Sequence, residues 1–260
     1  MKIGICTSCD QGQALKGVAD HVEENVQRLL VGEADDAAFH KAAAGAADCP
    51  LPIPAANCYL PAHLKTSGPD RDMDALLHYT RTTMQRAQGI GIQTIVFGSG
   101  GARKLAAGTD RAAAEEQFVE VLQAMGPVAA EHGVVLAVEP LNSQECNFIN
   151  SLAEGAALVR AADHPGIKLL ADVYHMARDG EAPDEIVRHG DLLHHVHVAE
   201  SGRTPPGVAG DDLRPYLRAL AEIDYRGRLS LECRIDGDLV EAMRTAAATL
   251  RTQAADVGLA

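Results

Sequence analysis

His132-Gly133-Val134-Val135-Leu136-Ala137-Val138-Glu139-Pro140-Leu141-Asn142 decides how this chain reads. Val134 to Val138 form an unbroken apolar run that follows a glycine and stops abruptly on an acid. Such a run is what a strand buried on both faces carries, because helices cover both sides of a parallel sheet. Upstream, Asp110 to His132 places Ala113, Phe118, Val121, Leu122 and Met125 at the recurring offsets of an amphipathic helix, and Gly133 supplies its stop.

The same grammar repeats in both directions. Eight short runs, Lys2 to Cys6, His21 to Glu24, Pro54 to Tyr59, Thr94 to Gly98, Val134 to Glu139, Lys168 to Asp172, Leu192 to Val198 and Arg228 to Glu232, alternate with longer Ala-rich stretches of helical period. That alternation is the mark of parallel α/β architecture. Eight β/α units in 260 residues match a (β/α)8 TIM barrel, whereas an open doubly wound sheet uses fewer strands and carries a glycine fingerprint after its first. Here the first run leads into Cys6-Thr7-Ser8-Cys9-Asp10. No linker, low-complexity tract or charge block divides the chain, so a single barrel domain over residues 1–260 is expected.

Composition excludes partners more readily than it names them. The chain is 47% apolar, enough for one large core, and its 23 Lys plus Arg against 36 Asp plus Glu leave a net charge of −13 that repels nucleic acid and anionic membranes. Five Tyr, four Phe and no Trp leave little material for stacking on bases. No apolar run reaches the ~18 residues of a membrane span, and Met1-Lys2-Ile3-Gly4-Ile5-Cys6 turns polar too soon for a signal peptide. Six scattered cysteines read as reduced thiols, and a cytoplasmic protein is expected.

In such a barrel, chemistry sits at the carboxyl ends of the strands. Of four successive runs, three end there on Glu139, Asp172 and Glu232 and the run Leu192 to Val198 ends near His197, each one β/α unit after the last. One strand ending on an acid is explained by the next helix, which favours a cap or an acid at its start. Four in succession converge on the barrel axis, where three carboxylates repel one another. One divalent metal ion relieves that repulsion, and an oxygen-rich set with one imidazole suits Mn2+, Mg2+ or Co2+. A carbonyl substrate beside such an ion can lose a proton through a metal-stabilised cis-enediolate. Glu139 and Glu232, from strands separated by two others, form the expected acid/base pair. Return of a proton to the same carbon from the opposite face epimerises it; return to the neighbouring carbon isomerises aldose and ketose.

Val138-Glu139-Pro140-Leu141-Asn142, Asp172-Val173-Tyr174-His175-Met176, His195-Val196-His197-Val198-Ala199 and Ser230-Leu231-Glu232 resemble the sugar isomerase and epimerase branch of the xylose isomerase-like barrels. The D-tagatose 3-epimerase and hydroxypyruvate isomerase families belong to that branch, and the resemblance runs over nearly the whole chain. It implies Glu139, Asp172, His197 and Glu232 as metal ligands, the set already selected by the strand ends. It further implies that Glu145, His175 and Arg203 grip substrate oxygens beside the reacting carbons, with a small ketose or keto acid as substrate and a homodimer or homotetramer as the assembly. An inosose dehydratase-like elimination on the same site is the alternative reading. An apurinic endonuclease-like nuclease would need further His and Glu ligands and a basic face, which the net charge opposes.

Smaller expectations surround this set. His195 shares a face with His197 and should support it from inside the barrel, with His194 turned toward the helices. Asn142 and Glu200 neighbour the cluster in sequence. Gly98 to Lys104 either offers amides and two cations to a phosphate or carboxylate, or is simply a tight loop. Phe97, Phe148, Tyr59 and Tyr174 are the aromatic candidates for the substrate's far end. Cys6, Cys58 and Cys233 fall at or near strand ends.

Overall fold

The computed structural model describes residues 1–259, in which eight parallel strands close into a barrel in sequence order. The strands are β1 (Lys2–Cys6), β2 (His21–Asn25), β3 (Ala55–Asn57), β4 (Thr94–Phe97), β5 (Val135–Val138), β6 (Ile167–Asp172), β7 (Leu193–Val198) and β8 (Arg228–Leu231). Every expected run overlaps one of them, with β2 and β6 each one residue longer at one end than expected. The third is the most shortened: Pro54 has no N–H to give to a ladder, and Cys58 turns left-handed with φ 55°.

Alternation along each strand sorts the side chains. Ile95 and Phe97, Leu136 and Val138, Leu169 and Ala171, Val196 and Val198, and Leu229 and Leu231 point outward into two buried clusters under the helices. Inside the barrel, Val96, Ala137 and Leu170 form a small apolar cluster of their own, and the inward positions above Ala137 and Leu170 are the acids Glu139 and Asp172. The helix Arg111–Glu131, capped by Asp110, buries Phe118, Val121, Leu122 and Met125 as its period predicts.

Phe118 is fully buried, with its ring centroid 5.3 Å from Phe97 and 5.9 Å from Phe148. Tyr59 packs on Phe97 from the other side at 5.2 Å. Tyr59, Phe97 and Phe148 therefore belong to the layer between barrel and helices and do not reach the mouth, contrary to expectation, because strand parity sends Phe97 outward. Phe118→Ala is expected to cost about 3–5 kcal/mol of stability, read from chemical denaturation, since it opens a cavity where several aromatic rings meet.

One expectation fails at β7. Leu169 pairs with Leu193 but Leu170 pairs with His195, so His194 is the extra residue of a bulge and strict alternation breaks there. His194 Nε2 lies 3.0 Å from Thr94 Oγ1 on β4, reaching across the floor of the barrel rather than toward the helices. Among the described residues no helix is long and apolar enough to cross a membrane, and all six cysteines are unbridged.

Candidate functional site at the barrel mouth

The inward positions at the carboxyl ends of the strands are Cys6, Glu23, Asn57, Gly98, Glu139, Asp172, His197 and Glu232, one from each strand or the residue just past it. The four residues singled out in the sequence meet there. His197 Nδ1 lies 3.1 Å from Glu139 Oε1, 3.7 Å from Glu232 Oε2 and 3.9 Å from Asp172 Oδ2. Glu139, Asp172 and His197 are buried, while Glu232 keeps 18% of its side chain open to the cleft.

Burial, reinforced by Glu232 and Asp172, pushes the Glu139 carboxyl above the usual range against the pull of His197. Burial acts in the same direction on Glu232, but His197 and Arg203 overrule it and hold that carboxyl down at about 2. Two glutamates at one site thus have their proton affinities driven apart, the condition for one group to hold a proton while the other stays charged. Burial opposes charge on His197 too, yet Glu23, Cys6 and Glu139 hold it well above an ordinary imidazole. The same field favours any positive charge at Nδ1, whether a proton or a metal ion.

Two histidines stand at the cluster, and their partners distinguish them. Glu139, Asp172, His175 and Glu232 each offer a ligand atom within 4.8 Å of the others, and Cys6, Glu23 and His197 do the same. Asn142 Oδ1 accepts from Gln144 N and Glu145 N at 3.2 and 3.3 Å, which fixes its amide so that Nδ2 donates to His175 Nδ1 at 2.8 Å. The remaining proton of a neutral His175 then sits on Nε2, which is buried and has no hydrogen-bond partner among the described residues. An N–H cannot coordinate a cation; it can donate to a substrate oxygen. His197 is arranged the other way, with Nε2 donating to Glu23 Oε1 at 2.8 Å and Nδ1 turned to the carboxylates. Three carboxylates with the Nδ1 of His197 fit a hard divalent cation.

The loop after β7 brings Arg203 over this layer, aided by left-handed backbone at Gly202 (φ 70°) and Arg203 itself (φ 60°). Its guanidinium pairs with Glu232, bonds Glu145 Oε1 at 3.1 Å, and lies 5.2 Å from the ring centroid of Tyr174. Glu145 is at the rim, half-exposed. The cleft divides at Arg203 and Glu232 into a lobe of about 420 Å³ beside Thr7, Asn25 and Arg28 and one of about 350 Å³ beside Gly98, Glu139 and Leu141. Cys6, Cys58 and Cys233 all line the first lobe, where burial raises the Cys58 thiol to about 11 and Cys233 to about 12. Tyr174 is the one expected aromatic that reaches the neighbourhood of the site, through its contact with Arg203.

Other side chains take parts that the sequence did not announce. Glu23, in the run with the most charge, is buried behind His197, and Asn57 Nδ2 donates to Glu232 Oε1 at 3.0 Å. Arg103 turns inward, fully buried, and donates to the backbone oxygen of Glu139 at 2.9 Å, so the Gly98 to Lys104 stretch does not present two cations to a ligand. Glu200 accepts from Gly207, Ala209 and Gly210 amides and folds the loop beyond Arg203. Gly98 has its own requirement: a Cβ there would occupy the place of the Glu139 carboxylate. Gly98→Ala is expected to displace Glu139 and lower turnover about 100-fold while the melting temperature changes little, measured by steady-state kinetics beside calorimetry.

The barrel belongs to a described family. The xylose isomerase-like TIM barrel family matches residues 16–253, and the chain belongs to it. Over 115 residues it is 32% identical to an L-ribulose 3-epimerase from Methylomonas sp., covering 44% of this chain and 40% of that protein. Over 133 residues it is 32% identical to a 3-dehydro-D-guloside 4-epimerase from Escherichia coli, covering 50% of this chain and 51% of that one. A putative hydroxypyruvate isomerase from Danio rerio is 29% identical over 146 residues, covering 52% and 53%. The matched segments thus span about half or less of these curated relatives. Among solved structures, D-psicose 3-epimerase from Clostridium cellulolyticum superposes with a TM-score of 0.83 at 21% identity over 99% of both chains. A 3-keto-D-glucoside 4-epimerase from Escherichia coli superposes at 0.82 and 23%, over 97% of this chain and 99% of that one, which shows the shared fold.

Proposed function

We propose that this protein is a divalent-metal-dependent epimerase or isomerase of a small ketose or keto acid, working by proton transfer beside the substrate carbonyl. One observation carries the reading: Glu139 from the β5 end and Glu232 from the β8 end both reach the Nδ1 side of His197, at 3.1 and 3.7 Å, with Asp172 beside them. Glu139, Asp172, His197 and Glu232 hold the ion, and the names of the relatives support a sugar substrate. When bound, Mn2+, Mg2+ or Co2+ supplies positive charge to adjacent substrate oxygens.

The protein's own groups do the rest. Glu139 and Glu232 flank the reacting carbon, one to take a proton from it and the other to return one. His175 donates its Nε2 proton to a substrate oxygen, and Arg203 with Glu145 closes the rim and orients the neighbouring hydroxyls. Asn57 steadies Glu232 from the β3 side. A cytoplasmic location and a homodimer or homotetramer complete the proposal, to be checked by fractionation and by light scattering.

The test is incubation of the Mn2+-loaded protein with a panel of ketoses and keto acids in deuterium oxide. Deuterium entering at one carbon without loss of water is expected. An unsaturated product would turn the reading into elimination, and cleavage of abasic-site DNA would overturn it.

A further inference from the structure

We infer that Glu23 is a positioning residue that holds His197 in the tautomer whose Nδ1 can take a divalent cation; the inference rests on the reading of His197 as a ligand. Glu23 is 1% exposed at an inward position of β2, the strand its sequence marks least clearly. Its Oε1 accepts from His197 Nε2 at 2.8 Å and its Oε2 from His195 Nε2 at 2.7 Å. An ionised carboxylate only accepts, so both rings must carry a proton on Nε2. A neutral His197 is left with its lone pair on Nδ1, on the side where Glu139, Glu232 and Asp172 converge.

The carboxylate is itself held in place. His195, set inward by the bulge at His194, lies with Nε2 3.3 Å from Ser230 Oγ, and Ser230 Oγ meets His21 Nε2 at 2.9 Å. The His21 ring fills the volume that a side chain at Gly4 would take, which closes the floor beneath Glu23. Groups from β1, β2, β7 and β8 thus lock one imidazole. A carboxylate behind a ligating histidine both fixes the ring and makes its free nitrogen a better donor, typically worth 10–100-fold in metal affinity.

Glu23→Gln tests this without changing the size of the side chain. A glutamine has one acceptor and one donor end for two imidazoles, so its NH2 must face either His197 or His195 and reverse that ring's tautomer. Metal-free wild type and variant are titrated with Mn2+ by calorimetry and with Co2+ by visible absorption, beside circular dichroism and melting of the metal-free proteins. The expected result is a Mn2+ affinity lower by about 10–100-fold and an altered Co2+ spectrum, in a variant whose circular dichroism is unchanged. Glu23→Asp keeps the charge but withdraws it by one carbon, and should lose less; if the glutamine variant does not fold, the aspartate variant decides. Wild-type Mn2+ affinity and Co2+ spectrum in the folded variants would overturn the inference alone. A wild type that binds neither ion would overturn the ligand reading and the inference with it.

Discussion

Glu232→Gln is expected to lower turnover by about 10²–10⁴-fold while the barrel stays folded, because it removes a proton-transferring group and preserves its shape. Glutamine keeps an acceptor for Asn57 Nδ2, which now donates to Glu232 Oε1 at 3.0 Å. On the other side it sets an amide NH2 against the Arg203 guanidinium, where the carboxylate now accepts. Arg203 retains Glu145 as a partner, so the rim is loosened rather than dismantled. Deuterium exchange at the substrate carbon, followed beside kcat and melting, separates lost proton transfer from lost binding. Full activity in the folded variant would refute the acid/base role proposed for Glu232.

The second large effect is expected at Asp172, which has two jobs that substitutions can separate. Oδ1 accepts from the His175 amide at 3.0 Å and caps the helix Val173–Asp179, while Oδ2 faces His197 Nδ1. Asp172→Ala removes both, costing about 1 kcal/mol for the cap and more than about 100-fold in Mn2+ affinity, above the effect assigned to groups that only support a ligand. Asp172→Asn keeps a capping oxygen and removes the charge, so it should share the affinity loss with less loss of stability. Metal-free protein should be affected least, since removing one of three crowded carboxylates also relieves their repulsion. Melting with and without Mn2+ reads both components, because a ligand that binds the folded state raises its stability with concentration. Unchanged Mn2+ affinity in Asp172→Asn would remove Asp172 from the ligand set.

Much of this molecule is legible in one dimension. Runs such as Val134 to Val138, which follows a helix and a glycine, mark the strands because burial on both faces is written into consecutive residues. Glu139, Asp172 and Glu232 stand out because each closes such a run, and His197 because it lies one residue from the end of one. Glu23 did not stand out: a strand reading His21-Val22-Glu23-Glu24-Asn25 looks like a surface edge, and the two histidines that neutralise its acid lie on β7. The aromatics misled for a related reason, since Phe97 sits near a strand end but on its outer face.

By itself the sequence determined the number and order of the strands and the strand ends that carry acids, since periodicity and residue type act over a few neighbouring residues. Only the tertiary structure decided what those residues do to one another. The tautomers of His175 and His197, the room that Gly98 leaves for Glu139 and the inward turn of Arg103 and His194 all depend on atoms brought together from strands far apart in the chain. Hydrogen bonds and excluded volume between such partners exist only once the barrel has closed.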